Sequence, residues 1–190
     1  SIGINGIYLP NIYFNSSLNR NEGKLYKTVR NIIDLIWAIG KKNKSPKLIN
    51  IGCFGAIRPM KNQLLQAMAA IAYADKEGLL MRFHINGTRI EQKGDAVFKN
   101  IRALFDNSKH HLVEHPWMSH YDFKFLVRKM DIGMQLSLSE SFNIVTADFV
   151  SQDIPIIVSP DISWMPFISQ TGPFNINHIV KRLSLVMKFK

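Results

Sequence analysis

From residue 48 onward the chain alternates short apolar runs with longer stretches whose apolar side chains recur every three or four residues. The run 48–54 is mostly apolar, as a strand buried on both faces must be, and it ends at Gly55. Over 61–76, Leu64, Leu65, Met68, Ala69, Ile71 and Ala72 form the apolar face of a helix. A second apolar run, 79–85, closes at Asn86 and Gly87. Asp95 then reads as the N-cap of a helix carrying Val97, Ile101, Leu104 and Phe105. A short third strand is expected at 111–113, cut off near Pro116, and a helix over 120–130 presents Phe123, Leu126, Val127 and Met130. Ile132, Met134, Leu136 and Leu138 alternate with small or polar residues in a fourth strand. A helix at 143–152 leads to a fifth strand at 154–158. A last helix at 176–188 follows Ile179, Val180, Leu183, Val186 and Met187.

Strand starts recur about every 20 to 30 residues with a helix between each pair, the rhythm of repeated βαβ units. The fold class this predicts is α/β, a doubly wound, mostly parallel, Rossmann-like sheet over 48–190. Residues 1–47 differ. They are rich in Asn, Gly and Ser at first, then show one helical pattern over 25–40 that stops at Gly40, then a basic stretch around Pro46. They are expected to be a lead-in or interdomain linker with one helix.

Composition narrows the classes. A chain of 190 residues with 46% hydrophobic content suits one packed domain rather than a disordered segment. No apolar run approaches the roughly 18 residues a membrane span needs, and the first residues lack a signal-peptide pattern. The single cysteine, Cys53, lies in a strand-like run and reads as a core residue, so the expected setting is reducing and cytoplasmic. The net charge of +10 favours anionic partners: phosphate ligands, nucleic acid or an anionic membrane surface. The excess is concentrated early, with eight Lys/Arg against two acids through residue 50 and sixteen against twelve beyond it.

Parallel sheets of this kind bind ligands at the carboxyl ends of their strands, which directs attention to the loops there. After the first strand, the loop from Gly55 to Asn62 sets Arg58 and Lys61 just ahead of a helix N-terminus. Two cations beside unpaired backbone N–H groups suit a diphosphate, although two solvated loop charges have the same sequence. After the fourth strand, Glu140 sits at a strand end and Asp148 follows eight residues later inside the next helix. Asn143, Ile144 and Val145 offer backbone donors at that helix start. Glu140 and Asp148 can accept hydrogen bonds from hydroxyls. A capping acid and a surface acid would read the same way.

The paired signals, Gly55, Arg58 and Lys61 together with the run from Glu140 to Asp148, resemble the C-terminal, donor-binding domain of retaining GT-B glycosyltransferases of the glycosyl transferases group 1 family. The similarity spans about 48–172 and also touches Gly87, 117–119 and 155–158. It implies a single GT-B C-terminal-type domain that binds a nucleotide-diphosphate sugar, UDP- or GDP-linked. No further cofactor is expected, and no metal if the two cations and a helix N-terminus neutralise the diphosphate. It implies that Gly55, Arg58 and Lys61 serve the diphosphate, Glu140 the transferred sugar and Asp148 the ribose, with Asn143 and Ile144 at the helix start. Glu140, Arg58 and Lys61 are thereby the expected catalytic set. His115, at the end of the third strand, is expected to line the nucleotide site.

This sequence departs from the family pattern in having Asp148 where Glu is usual, Asn143 where Gly is usual, and 159–164 in place of a glycine-rich turn. The family places its donor between two domains. The acceptor-binding half is expected to be absent from this chain, which alone would be inactive, and the acceptor a glycan or lipid. Contact with a membrane periphery fits the basic charge. Two other readings remain: a degenerate, non-catalytic transferase domain used as a binding module, and a basic nucleic-acid-binding protein. The second is disfavoured because its cations are scattered without interleaved aromatics. The segment 111–115 also matches an H-x-x-E-H zinc pattern, but that chemistry needs a helix and this segment reads as a strand.

Overall fold

The computed structural model describes residues 46–189. The lead-in and its helix at 25–40 therefore lie outside the described residues. Strands β1 (Leu48–Gly52), β2 (Leu80–Asn86), β3 (His111–His115), β4 (Ile132–Gln135) and β5 (Ile156–Val158) form one sheet in the order β3-β2-β1-β4-β5. Every pairing is parallel. Helices α1 (Gln63–Lys76), α2 (Asp95–Asp106), α3 (His120–Val127), α4 (Ile144–Ser151) and α5 (Ile176–Lys188) alternate with the strands. The doubly wound α/β class read from the periodicity is the one observed. The chain winds outward from β1 through β2 to β3, then returns to place β4 on β1's other edge. That reversal is the topological switch point, where the carboxyl ends of adjacent strands leave a crevice.

Alternation along the strands assigns the two faces. Ile49 and Ile51 of β1 with Cys53 just beyond it, Met81, Phe83 and Ile85 of β2, and Ile132 and Met134 of β4 share a core with α1, α2 and α5. Burial pushes the Cys53 thiol up to about 12 against the pull of Lys61, so it is a core side chain rather than a nucleophile. The opposite face carries Phe54, Ile156 and Val158 against Leu126 and Val127 of α3 and Phe149 of α4. Two glycines make room for Phe149 there. A Cβ on Gly52 would lie 2.8 Å from its Cζ, and one on Gly133 2.7 Å from its Cδ1.

Several boundaries differ from the sequence expectation. Asp95 is the first helical residue of α2, and Gly94 is the N-cap. A Cβ at Gly94 would come within 2.1 Å of the Ile57 carbonyl oxygen, so backbone contact, not a side-chain cap, fixes that helix start. β3 runs two residues further, to His115. β4 stops at Gln135 because the next donors leave the ladder: Leu136 N–H donates to Gln66 Oε1 and Leu138 N–H to the Met60 carbonyl. The 111–115 segment is a strand, as its composition suggested. Glu114 accepts two 2.7 Å hydrogen bonds from Arg102, while His115 contacts His84 on the other side of the strand.

A candidate anion-binding rim at the switch point

The loop leaving β1 is built by its neighbours. Gly55 takes φ +113°, a turn open to glycine without strain, and its N–H donates to Asn86 Oδ1 at 2.8 Å. Ile57 then pairs with the loop after β2: its N–H donates to the Arg89 carbonyl at 2.8 Å and its carbonyl accepts from Glu91 N–H at 2.9 Å. Pro59–Lys61 forms one 3₁₀ turn. Asn62, left-handed at φ 55°, sends its Nδ2 to the carbonyls of Leu136 and Pro173. Gln66 closes the circuit, donating to the Lys61 carbonyl at 2.7 Å while accepting from Leu136 N–H at 3.0 Å. Arg58 and Lys61 thus stand on a loop tied to the ends of β2 and β4 at once.

Those two cations reach to opposite sides. Arg58 approaches Glu91, in the loop after β2, at 3.8 Å. Its Nε is buried with no hydrogen-bond partner among the described residues, a donor still available for use. Lys61 forms an ion pair with Glu140 of the loop after β4, with the two side chains only 12% and 13% exposed. Burial raises the Glu140 carboxyl. The Lys61 ammonium, with smaller help from Ser141 N–H and Asn143 Nδ2, outweighs that and holds it below the usual carboxylate range. The structure therefore brings Lys61, Glu140 and Asn143 together and sets Arg58 against Glu91.

Asn143 joins the loop to α4. It adopts φ 56°, in the left-handed region that Asn tolerates better than other side chains. Its Oδ1 accepts from Thr146 N–H at 2.9 Å, and its Nδ2 donates to Gln135 Oε1 and Glu140 Oε2, both at 3.0 Å. Ile144, the first residue of α4, is 62% exposed, so the helix start it occupies faces solvent.

Asp148 is not a surface acid. It lies beneath His120, the first residue of α3, whose Nε2 is 2.6 Å from Asp148 Oδ1; the ring of His120 is 57% exposed and the carboxylate 2%. Burial pushes Asp148 up to about 7, while the His120 contact acts the other way by favouring the carboxylate. His115, half-buried at the end of β3, has its Nε2 2.9 Å from His84 Nδ1 and its ring edge-on to Phe54 at 6.0 Å. The sequence reading passed over His84, His120, Asn62 and Gln135. The signal available for His84 was its place two residues before Asn86 in one strand, hence on one face.

Two hollows lie away from this rim. One of about 560 Å³ lies between α5 and the segment after β5, lined by Pro160, Phe167, Thr171, His178, Lys181 and Arg182 among others. One of about 400 Å³ lies between α2 and β3. Neither contains the Lys61–Glu140 pair, which sits on an open rim; charge and converging loops, not concavity, single that rim out. Among the described residues no cluster of His, Cys, Asp and Glu is arranged to hold a metal ion, and no helix is long and apolar enough to cross a membrane.

No protein-family model and no curated protein matches the sequence. Solved structures do match its fold. The C-terminal domain of a glycosyl transferase group 1 family protein, LpcC, from Francisella tularensis superposes with a TM-score of 0.62 at 18% identity, over 76% of this chain and 78% of that one. An E. coli trehalose-6-phosphate structure bound with UDP-2-fluoro glucose gives 0.59 at 12% identity, over 76% and 37%. A UDP-forming α,α-trehalose-phosphate synthase from Burkholderia xenovorans in complex with glucose-6-phosphate gives 0.58 at 14%, over 77% and 37%. This chain spans little more than a third of the length of those last two. The described residues have the fold of a GT-B C-terminal domain.

Proposed function

We propose that this chain is the donor-binding part of a glycosyltransferase, taking a UDP- or GDP-linked sugar at the switch-point rim for transfer to a glycan or lipid acceptor held by another domain. The observation that carries it is the pairing of Lys61 with Glu140 across the loops that leave β1 and β4, three residues from the buried, unpartnered Arg58 Nε. A diphosphate entering there would take that Nε–H and share Lys61 with Glu140. These charge-assisted contacts would stabilise the charge that grows on the leaving diphosphate as the glycosidic bond breaks. In this reading the two cations and the start of α4 supply the neutralising charge without a metal ion. Glu140 and Asn143 would meet the sugar, and the His120–Asp148 pair and His115 the nucleoside. The UDP-2-fluoro glucose held by the E. coli neighbour supports a nucleotide sugar as the ligand class. Retention of configuration, a cytoplasmic location and contact with a membrane periphery belong to the same proposal.

The test is a calorimetric titration of UDP and GDP against the wild type and Arg58→Ala. A charge-assisted hydrogen bond contributes roughly 1.5–3 kcal/mol, so the variant should bind about 10- to 150-fold more weakly. Equal affinities, or no binding by the wild type, defeat the proposal. The chain alone should show negligible transfer, and robust turnover by the purified chain would contradict the expected need for a second domain.

A further inference from the structure

A row of polar side chains crosses the sheet on the face that carries α3 and α4, from the start of β4 to the end of β3. At its base, the Asp131 carboxylate accepts a 2.8 Å hydrogen bond from the backbone N–H of Asn50 and a 3.4 Å contact from Asn50 Nδ2. The Asn50 Oδ1 lies 3.2 Å from His84 Nε2, and His84 Nδ1 lies 2.9 Å from His115 Nε2. Asn50 and His84 occupy interior strands, and their rings and amide have few alternatives.

Donor and acceptor roles propagate along this row in one direction. A carboxylate only accepts, so it fixes the Asn50 amide with Nδ2 toward Asp131 and Oδ1 away. Oδ1 only accepts, so the proton of His84 sits on Nε2. A neutral His84 then has a lone pair on Nδ1, so His115 must carry its proton on Nε2. The nitrogen left over, His115 Nδ1, is a hydrogen-bond acceptor on a half-buried ring at the carboxyl end of β3. The neutrality this requires is consistent with the surroundings. Burial, with His115 and Arg82 adding to it against Asp131, pushes His84 down to about 4, and burial with Lys129 lowers His115.

We propose that His115 is a specificity residue whose Nδ1 accepts a hydrogen bond from an N–H or O–H group of the bound nucleoside, with Asp131, Asn50 and His84 as the positioning residues that fix its tautomer. This rests on the nucleotide-sugar reading above. It commits the site to ligands that present a donor at that point, and a nucleoside presenting only acceptors there is rejected because two lone pairs would face each other.

Two measurements on the full chain test it. Long-range ¹⁵N–¹H NMR at pH 7.5 reads imidazole tautomers without any ligand, and both His84 and His115 should show protonated Nε2 with bare Nδ1. A protonated His115 Nδ1 overturns the proposal whether or not nucleotides bind. The second is calorimetry with whichever of UDP or GDP binds the wild type, and with pyrophosphate, on wild type and His115→Phe. The variant keeps a flat ring beside Phe54 but has no acceptor. It should bind the nucleotide about 2- to 12-fold more weakly, the range of one neutral hydrogen bond, and bind pyrophosphate as the wild type does.

Base-methylated and 2′- or 3′-deoxy forms of the same nucleotide then identify the donor, since the one that lacks it should bind wild type and His115→Phe alike. Equal loss of pyrophosphate and nucleotide, or unchanged nucleotide affinity, sinks the proposal. Pyrophosphate binding without nucleotide binding removes the nucleoside role of His115 while leaving the anion rim standing, and binding of neither removes the nucleotide-sugar reading itself.

Discussion

Lys61 and Glu140 are partners across the switch point, one on the loop after β1 and one on the loop after β4, each almost wholly withdrawn from water. Removing one member of such a pair leaves the other charge buried and uncompensated, whereas removing both does not. Lys61→Met should therefore cost about 3 kcal/mol of stability, and Lys61→Met with Glu140→Gln should recover most of it, as urea unfolding of the set would show. Equal loss in the single and double variants would mean the pair is not coupled. The pH sign follows from Glu140. Its folded pKa is depressed, so its contribution is present above the ordinary carboxylate range and is lost as pH falls through the folded value. Glu140→Gln should lack that acid-side loss.

Asn143 combines two demands, a left-handed backbone and a cap on α4. Glycine meets the first and gives up the second, so Asn143→Gly should lose a few tenths of a kcal/mol from the cap, on top of the Nδ2 contacts that any residue without an amide gives up. Alanine meets neither, and Asn143→Ala should lose about 2 kcal/mol beyond those shared contacts, the sum of a missing cap and a strained residue. Thermal denaturation of the two variants orders them; both lose the Nδ2 contacts to Gln135 and Glu140 alike, so a reversed order would show that the left-handed backbone at 143 costs alanine nothing.

The fold was legible because its signal is periodic. Buried parallel strands and amphipathic helices write their lengths into the chain, so the order of ten elements over 48–188 could be read from spacing alone. What spacing could not carry is where side chains go when they leave the repeat. β4 ends early because Gln66 and Met60, some 70 residues away, claim the donors of Leu136 and Leu138. Asp95 looked like a cap because an acid before an apolar helix usually is one, yet the position before it is taken by a backbone contact to Ile57. At the rim, sequence brought Arg58 and Lys61 forward as two cations for one diphosphate and Glu140 as an acceptor for hydroxyls. That Lys61 spends itself on Glu140 while Arg58 turns to Glu91 depends on which strands flank β1, a property of the sheet order rather than of any local run. His84 and His120 were missed for the same reason: their partners, His115 and Asp148, are 31 and 28 residues distant.

Gly94 holds the loop after β1 by proximity. Its missing side chain lets the Ile57 carbonyl approach, and neither backbone can move without breaking the Ile57 pairing to Arg89 and Glu91. Gly94→Ala should cost about 3 kcal/mol, the upper end of what forced overpacking costs. Gly172→Ala, where a Cβ meets nothing within 4 Å, is the control and should be close to neutral. Because the Ile57 pairing carries Arg58, Gly94→Ala should also weaken nucleotide binding in folded protein, measured by calorimetry below the melting transition. A folded Gly94→Ala protein with unchanged affinity would separate the two loops functionally.

Asp148 and His84 pull the pH dependence of stability in opposite directions over one window, so variants are needed to separate them. Burial raises Asp148 to about 7 from 3.8. A raised group contributes stability that is full below its unfolded pKa and is lost as pH rises through its folded pKa, here between about 4 and 7. His84 is depressed from 6.5 to about 4, so its contribution is present above 6.5 and disappears as pH falls toward 4. In the difference between wild type and Asp148→Asn the His84 contribution cancels. That difference should turn against the wild type as pH climbs from 4 to 7. The 2.6 Å contact from His120 works against the slope by stabilising the carboxylate, and His120→Ala should steepen it. A flat difference across the whole window would mean that His120 holds Asp148 ionised at its ordinary pKa, and that the pair carries its negative charge throughout neutral pH.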